Sequence, residues 1–302
     1  MHEMPIYSNG RMVHNEMKAN TERGFGMGQS DWDVETLIVG ATFAGIGYAW
    51  KYRKDALLVE REMTPGHEFL YAYKHGEDWD RTYTKGGLAA ALQAELFRRN
   101  LLSGDGRAHL PGITPLLYRL IRDEQLPVRF MTETVSVERV PGGYAATLFD
   151  PSGLRTVRAK RIIDTTSACQ TKPQAAGKPA KRINALLHAD SAGAGGPAPR
   201  IEEAAYRVEP GRYASEAYLS LPLEAEDTWV SGREKLHAFW VNRPEALSGW
   251  TLASVADQFD MTPPKGTHVI EEHWLWFPSA AFANPLAAVE AACESAEGVR
   301  TG

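Results

Sequence analysis

Two short apolar runs flank a glycine-rich segment in the first quarter of the chain. The first run, residues 36–39, ends at Gly40, and the second, residues 56–59, ends at Glu60. Between them, apolar residues follow a helical spacing from Ala44 to Tyr52. Short apolar runs bounded by glycine or charge are typical of buried strands, so the segment is predicted to fold as strand, tight turn, helix and strand.

The turn and the helix start of this unit predict a dinucleotide-binding site. A helix N-terminus combines unpaired N–H groups with the positive end of the helix dipole, so it favours a pyrophosphate. Glu60 lies where a carboxylate accepts hydrogen bonds from ribose hydroxyls. Thr42 occupies the usual middle glycine position, and its hydroxyl could bind the anion or cap the helix. The expected pyrophosphate contacts are Gly40, Thr42, Phe43, Ala44 and Gly45.

Patterns along the rest of the chain predict further strands and helices. Helical spacing covers residues 88–102, 113–124, 231–240 and 285–293. Segments rich in Gly, Ala, Pro and Lys, residues 170–181 and 191–200, predict linkers or loops. Strands are predicted for residues 128–131, 135–139, 144–149, 156–159, 161–164, 183–188, 213–221 and 268–276.

Composition narrows the class of protein. The 302 residues are 43% hydrophobic and 24% charged, as in an ordinary globular protein, and the net charge of −5 offers no basic field for nucleic acid. No apolar run has the length of a membrane span. The two cysteines, Cys169 and Cys293, form no Cys-x-x-Cys pair, so we expect a reducing cytoplasm and no metal site.

Three separated segments resemble FAD-dependent oxidoreductases of the glutathione-reductase-like, two-dinucleotide-binding flavoprotein superfamily. The first is the unit from Gly40 to Arg61, and the second is the helix, hairpin and strand of residues 113–167. The third is the loop and helix of residues 276–290, which is similar to the family's C-terminal flavin-binding segment. The family's Gly-Asp pair before this helix is replaced by residues 277–278, Phe and Pro.

The resemblance implies a fold, a cofactor and further contact residues. The fold is α/β, with a Rossmann-like FAD-binding domain on a parallel sheet and a small mixed-sheet substrate domain. The implied layout is an N-terminal extension (1–32), an FAD-binding domain (33–170), a substrate domain (171–273) and a C-terminal flavin-binding loop and helix (274–302). The implied cofactor is FAD, and the additional FAD contacts are Arg61, Arg107, Val135, Thr166, Ser279 and Asn284.

Candidate catalytic groups are few. In flavin enzymes the cofactor performs the redox chemistry while side chains orient substrate and move protons. His67, on the loop after Glu60, suits proton transfer near neutral pH, and the alternative is a solvent-exposed loop histidine. Arg107 and His109 could contact the flavin or flank a helix start. The aromatic residues of the second half could line a flat apolar pocket or form the domain's core.

The sequence therefore predicts a cytoplasmic FAD-dependent oxidoreductase acting on a small, aromatic or hydrophobic organic substrate. A second hypothesis is a degenerate nucleotide-binding partner or regulatory subunit without turnover. A third is an NAD-binding enzyme built on the same first unit. We expect neither a nucleic-acid nor a membrane partner, and the aromatic surplus is compatible with a homodimer.

Overall fold

The computed structural model describes residues 32–189 and 198–295. The predicted N-terminal extension, apart from its last residue, lies outside the described residues, as does most of the predicted linker at 191–200. The helices are α1 Phe43–Lys51, α2 His67–Leu70, α3 Leu88–Arg98, α4 Thr114–Asp123, α5 Trp229–Val241 and α6 Pro285–Glu294. The strands are β1 Trp32–Val39, β2 Ala56–Val59, β3 Val128–Arg129, β4 Glu133–Val140, β5 Gly143–Asp150, β6 Gly153–Asp164, β7 Ala180–Ala189, β8 Ile201–Glu202, β9 Arg207–Pro210, β10 Glu216–Leu223, β11 Trp250–Val255, β12 Asp260–Thr262, β13 His268–Glu271 and β14 Trp274–Trp276.

The first sheet has a parallel centre with antiparallel additions. Its order is β13-β14-β6-β1-β2-β3, and the pairs from β14 to β3 are parallel. Strand β13 pairs antiparallel with β14, and the β4–β5 hairpin continues from β6. Val39 lies opposite both Val59 and Asp164, so the chain leaves β1, β2 and β6 at the same edge of the sheet. Ligands of open parallel sheets bind at this carboxyl edge.

Helix α1 packs closely on the sheet and on α6. A Cβ atom at Gly45 would lie 2.0 Å from the carbonyl oxygen of Gly40, and one at Gly47 would lie 2.7 Å from that of Val289. Both positions therefore need glycine for the helix to approach its neighbours. Asn284 caps α6 at its N-terminus and Pro285 is the first helical residue, as the sequence pattern predicted.

The second sheet is separate and has the order β11-β7-β10-β9-β8, with β12 also paired to β7. Its described pairs are antiparallel, whereas a mixed sheet was expected. Trp250 is buried in its core, and Trp229, Phe239 and Trp240 pack against that core. These aromatic residues therefore build the sheet's packed interior.

Three predicted elements differ from the structure. The single strand expected at 268–276 is two antiparallel strands, because His273 adopts a positive φ of 62° and turns the chain. The two short strands expected at 156–164 are one continuous strand, β6. The loop after Glu60 contains the helical turn α2, which begins at His67 after Gly66 with a φ of 75°. Within the described residues, none of the helices is long and apolar enough to cross a membrane.

Substitution of Gly47 by alanine should destabilise the fold. Alanine in a helix interior normally gains about 1 kcal/mol over glycine, but overpacking against the Val289 carbonyl costs about 1–3 kcal/mol. Urea unfolding should show a lower midpoint for Gly47→Ala. Gly104→Ala is the matched control, because no atom lies within 4 Å of its added Cβ. Equal or greater stability of Gly47→Ala would contradict the close packing of α1 on α6.

Candidate functional site

The first turn of α1 lies at the carboxyl edge of the first sheet, between β1, β2 and β6. The backbone N–H groups of Ala41, Phe43, Ala44 and Gly45 form a group that we call the amide cluster. In a free helix N-terminus such groups have no intrahelical partner, and they attract an anion. The atoms that satisfy them in this chain therefore decide whether an external ligand can bind.

Thr42 is the N-cap of α1 and satisfies the last amide of the cluster. Its Oγ1 accepts a hydrogen bond from the amide of Gly45 at 3.0 Å and donates to Oγ1 of Thr165 at 2.7 Å. Thr165 in turn donates to the carbonyl oxygens of Val39 and Gly40, both at 3.0 Å. The hydroxyl at the usual middle-glycine position thus ties the helix to the end of β6.

Glu68 and Ser279 satisfy the two amides at the centre of the cluster. Oε1 of Glu68 accepts from the amide of Phe43 at 2.8 Å and from the hydroxyl of Ser279 at 2.6 Å. The same Ser279 oxygen accepts from the amide of Ala44 at 3.1 Å. A carboxylate from α2 and a hydroxyl from the segment before α6 therefore bond to each other at the N-terminus of α1.

Glu60 binds the protein's own backbone at the end of β2. Its Oε2 accepts from the amide of Ala41 at 2.7 Å, and its Oε1 accepts from the amide of Glu62 at 2.9 Å. Burial raises the pKa of this carboxyl above its ordinary value. Each member of the amide cluster consequently has a hydrogen-bond acceptor within the chain, and two of the acceptors are buried carboxyl groups.

Glu68 is the least expected group in the site. Only 4% of the residue is exposed, and its Oε2 has no hydrogen-bond partner. Burial is the main cause that raises the pKa of Glu68 to about 7, and it outweighs the hydrogen bonds from Ser279 and Phe43, which lower the pKa. The chain thus holds an acid at the positive end of α1 with half of its hydrogen-bonding capacity unused.

The remaining predicted contacts on β6 and α6 are also satisfied internally. Thr166 donates from its amide and its hydroxyl to Oδ1 of the fully buried Asp164, at 2.9 and 2.6 Å. Oδ1 of Asn284 accepts from the amide of Ala287 and the hydroxyl of Tyr83, both at 2.9 Å. These residues fix the loop after β6 and the start of α6.

Three of the residues predicted to contact FAD take no part in the hydrogen bonds of the amide cluster. Arg61 pairs with Glu62 at 3.1 Å, and Arg107 pairs with Asp105 at 3.0 Å, in both cases with side chains substantially exposed. Val135 lies on β4 and is 58% exposed. Their roles as cofactor contacts stay predictions.

His67 is half-buried, whereas a fully solvent-exposed loop histidine was the alternative. Its Nε2 lies 2.5 Å from Oγ1 of Thr64, and its ring stacks on Tyr71 with 4.3 Å between centroids. Burial lowers the pKa of this imidazole. A neutral ring bonded to Thr64 is compatible with a structural role, and its catalytic role stays a prediction.

A second buried polar cluster joins the two sheets. Oε1 of Glu216, on β10, accepts from the hydroxyl of Tyr218 and lies 2.9 Å from Nδ1 of His109. The hydroxyl of Tyr218 also accepts from the amide of Leu110 at 3.0 Å. His75 packs beside Tyr218, its Nε2 has no partner, and burial lowers its pKa to about 4. His109 therefore serves the contact between the sheets.

Sequence patterns place Glu68 with His67 on a loop that could reach toward the cofactor, but they missed the contacts by which Glu68 and Asp164 organise the site. Asp164 accepts four hydrogen bonds from Thr166 and Thr171, and Glu68 contacts the amide of Phe43. The available signal for Asp164 was an acid at the end of a buried strand. The signal for Glu68 was weaker, because an acid beside Gly66 on a loop is ordinarily solvated. Among the described residues, no group of three or more His, Cys, Asp or Glu side chains could hold a metal ion.

Comparisons with known proteins identify the fold. No protein-family model matches the sequence, and no curated protein does. Similar solved structures include aklavinone-11 hydroxylase in complex with FAD and aklavinone (16% identity, TM-score 0.57), covering 87% of this chain and 61% of that chain. The p-nitrophenol 4-monooxygenase of Pseudomonas putida matches at 13% identity and TM-score 0.54, covering 87% and 77%. A myxobacterial chondrochloren halogenase, an FAD-dependent enzyme, matches at 13% identity and TM-score 0.58, covering 87% and 72%.

The chain thus spans less than two thirds of the hydroxylase. At these identities the likeness concerns the fold alone. The described residues combine a parallel-centred sheet and a separate antiparallel sheet, as the sequence resemblance implied in outline. The chain has the α/β fold of FAD-binding Rossmann-type flavoenzymes.

The acid at position 68 should make stability depend on pH. Because the pKa is raised to about 7 from 4.5, folded protein binds the proton more tightly than unfolded protein. The stability that Glu68 contributes is therefore greatest below pH 4.5 and falls by about 3 kcal/mol as the pH rises to about 7. Glu68→Gln should remove this part of the slope in unfolding experiments from pH 4.5 to 8.

Glu60 and Asp164 also have raised pKa values, so the informative quantity is the difference between wild type and Glu68→Gln at each pH. Glu234→Gln, which neutralises an exposed acid on α5, is the control and should keep the wild-type slope. Parallel curves for wild type and Glu68→Gln would contradict the buried, proton-holding state of Glu68.

Proposed function

We propose that this protein is an FAD-dependent oxidoreductase that acts on a small aromatic or hydrophobic organic substrate. The observation that carries the proposal is the amide cluster, which lies at the carboxyl edge of a flavoenzyme-type sheet and has a carboxyl group on its Phe43 amide. The Glu68 carboxylate stands there in the role of a ligand anion. Finer assignment to the glutathione-reductase-like superfamily rests on the three sequence segments that resemble it.

The fit of FAD to this site has two parts. The donors fit a pyrophosphate, because the adjacent amides of Phe43 and Ala44 stand at the positive end of α1, and Gly40 and Gly45 have no room for a side chain. The described side-chain positions do not fit it, because Glu68 and Ser279 already occupy the central amides. FAD binding therefore requires both side chains to withdraw.

With those side chains withdrawn, the amides of Phe43 and Ala44 would hold the pyrophosphate, and Glu60 would turn from Ala41 to the ribose. The domain assignment follows, with residues 33–170 and 274–302 holding the cofactor and residues 171–273 facing the substrate. When bound, FAD supplies transfer of a hydride or an electron pair. The protein's part is to bind and orient the cofactor and substrate.

The substrate class follows from two considerations. Two of the similar structures are enzymes named for aklavinone and p-nitrophenol, which are aromatic. In this chain the second sheet contacts the segment around α2. Tyr218 of that sheet and Tyr73, which follows α2, lie at this contact with ring centroids 6.2 Å apart. An apolar aromatic substrate fits such surroundings better than a charged one. Both described cysteines are free, which agrees with a reducing, cytoplasmic setting.

A second candidate function has its own supporting observation. Because each amide of the cluster already has an internal partner, the chain could be complete without a nucleotide. It would then be a degenerate module that acts through a protein partner and performs no turnover. A third alternative, NAD in place of FAD, shares the same first unit.

Addition of FAD to the purified protein should distinguish these functions. Binding should quench flavin fluorescence, perturb the flavin absorption band at about 450 nm and raise the melting temperature by roughly 5 °C at saturation. Heating the purified protein should release any copurified ligand, and the absorption spectrum of that ligand distinguishes FAD from NAD. A colourless protein whose melting temperature FAD leaves unchanged would contradict the oxidoreductase and favour the degenerate module.

A further inference from the structure

We propose that the Glu68 carboxylate is an internal competitor for the amide cluster, so that an external pyrophosphate binds only by displacing it. The inference deepens the proposed function and rests on it for the identity of the ligand. It assigns a regulatory role to a side chain of this chain, independent of the reaction that follows.

The backbone brings Glu68 to the helix end. Gly66, with a φ of 75°, donates from its amide to the carbonyl oxygen of Ala41 at 2.8 Å, so the start of α2 is tied to the turn before α1. A Cβ atom at Gly66 would lie 2.9 Å from the side chains of Phe43 and Leu117. The close approach of α2 to α1 therefore depends on glycine, and it positions the carboxylate two residues later.

The hydrogen bonds of Glu68 leave one of its two carboxylate oxygens without a donor. One carboxylate oxygen receives two hydrogen bonds, from Phe43 and Ser279, while the buried Oε2 receives none. An unpaired buried oxygen costs free energy that a solvated side chain does not. A pyrophosphate offers more acceptor oxygens to the same donors, so exchange of Glu68 for the ligand relieves this cost.

Simultaneous occupation is excluded by distance and charge. A phosphate oxygen bonded to the amides of Phe43 and Ala44 would need the positions that Oε1 of Glu68 and Oγ of Ser279 hold. A carboxylate left beside a phosphate would also repel it in a poorly solvated site. The apparent affinity for the ligand is thus the intrinsic affinity reduced by the fraction of molecules in which Glu68 has withdrawn.

Competition of this kind depends on the charge of Glu68. Protonation removes the negative charge of Glu68 and weakens the hydrogen bond that it accepts from the Phe43 amide. The external anion should therefore bind more tightly as the pH falls from 8 to 6. The other groups near α2 are Glu60 at the end of β2, Asp260 of β12 paired with Lys74, and His109 paired with Glu216. His67 is the first residue of α2, and Arg61 and Glu62 lie in the loop before it. Asp257 donates from its amide to the carbonyl oxygen of Tyr71, at the end of α2.

The test compares FAD, ADP and inorganic pyrophosphate binding by calorimetry at pH 6 and pH 8. Glu68→Ala vacates the Phe43 amide, removes the carboxylate's hold on the Ser279 hydroxyl and should bind FAD at least about tenfold more tightly than wild type at pH 8. Glu68→Gln, which keeps the shape without the charge, should lie between the two and lose the part of the pH dependence due to Glu68. Glu234→Gln should match wild type, because it removes the same charge from an exposed side chain of α5, outside the site.

The outcomes separate the inference from the proposed function. Tighter FAD binding by both Glu68 variants supports both. Equal FAD binding by wild type, Glu68→Ala and Glu68→Gln overturns the competitor role and leaves the oxidoreductase intact. Binding of ADP or pyrophosphate, but not FAD, by the Glu68 variants alone supports the competitor and rejects FAD as cofactor.

Absence of binding by every variant to every probe overturns both. Circular dichroism and a cooperative unfolding transition establish that each variant is folded. If Glu68→Ala does not fold, the shape-conserving Glu68→Gln still decides the result, because its affinity either exceeds that of wild type or equals it.

Discussion

Hydrogen bonding at the start of α1 is the constraint on which the rest of the site depends. Buried backbone N–H groups need acceptors, and the first turn of a helix has no intrahelical ones. In this chain the acceptors are Thr42, Glu60, Glu68 and Ser279, which come from four separate places in the sequence. A site that in a nucleotide-binding protein is completed by phosphate is here completed by the protein itself.

That arrangement links the site to the second sheet. Glu68 belongs to α2, and the segment after α2 is fixed by Nδ2 of Asn184, which donates to the carbonyl oxygen of Ala72 at 2.8 Å. Lys74 pairs with Asp260 at 3.0 Å with both side chains largely buried. Displacement of Glu68 would therefore act on the segment that contacts the second sheet, which offers a physical route from the proposed cofactor site to that sheet.

Local patterns predicted the elements of the fold but not the contacts that complete the site. The unit from β1 to β2, the cap of α1 by Thr42 and the start of α6 at Pro285 follow from short-range spacing, and the structure has them. The partners of Phe43 and Ala44 lie 25 and 235 positions away, so no local pattern reveals them. The turn at His273 was missed because a positive φ there has no glycine to signal it.

The most direct measurement is a crystal structure of the wild-type protein crystallised without nucleotide, phosphate or sulfate. The account predicts Oε1 of Glu68 within hydrogen-bond distance of the Phe43 amide and the Ser279 hydroxyl, with the side chain buried. Glu68 turned to solvent, with ordered water on the amides of Phe43 and Ala44, would contradict it.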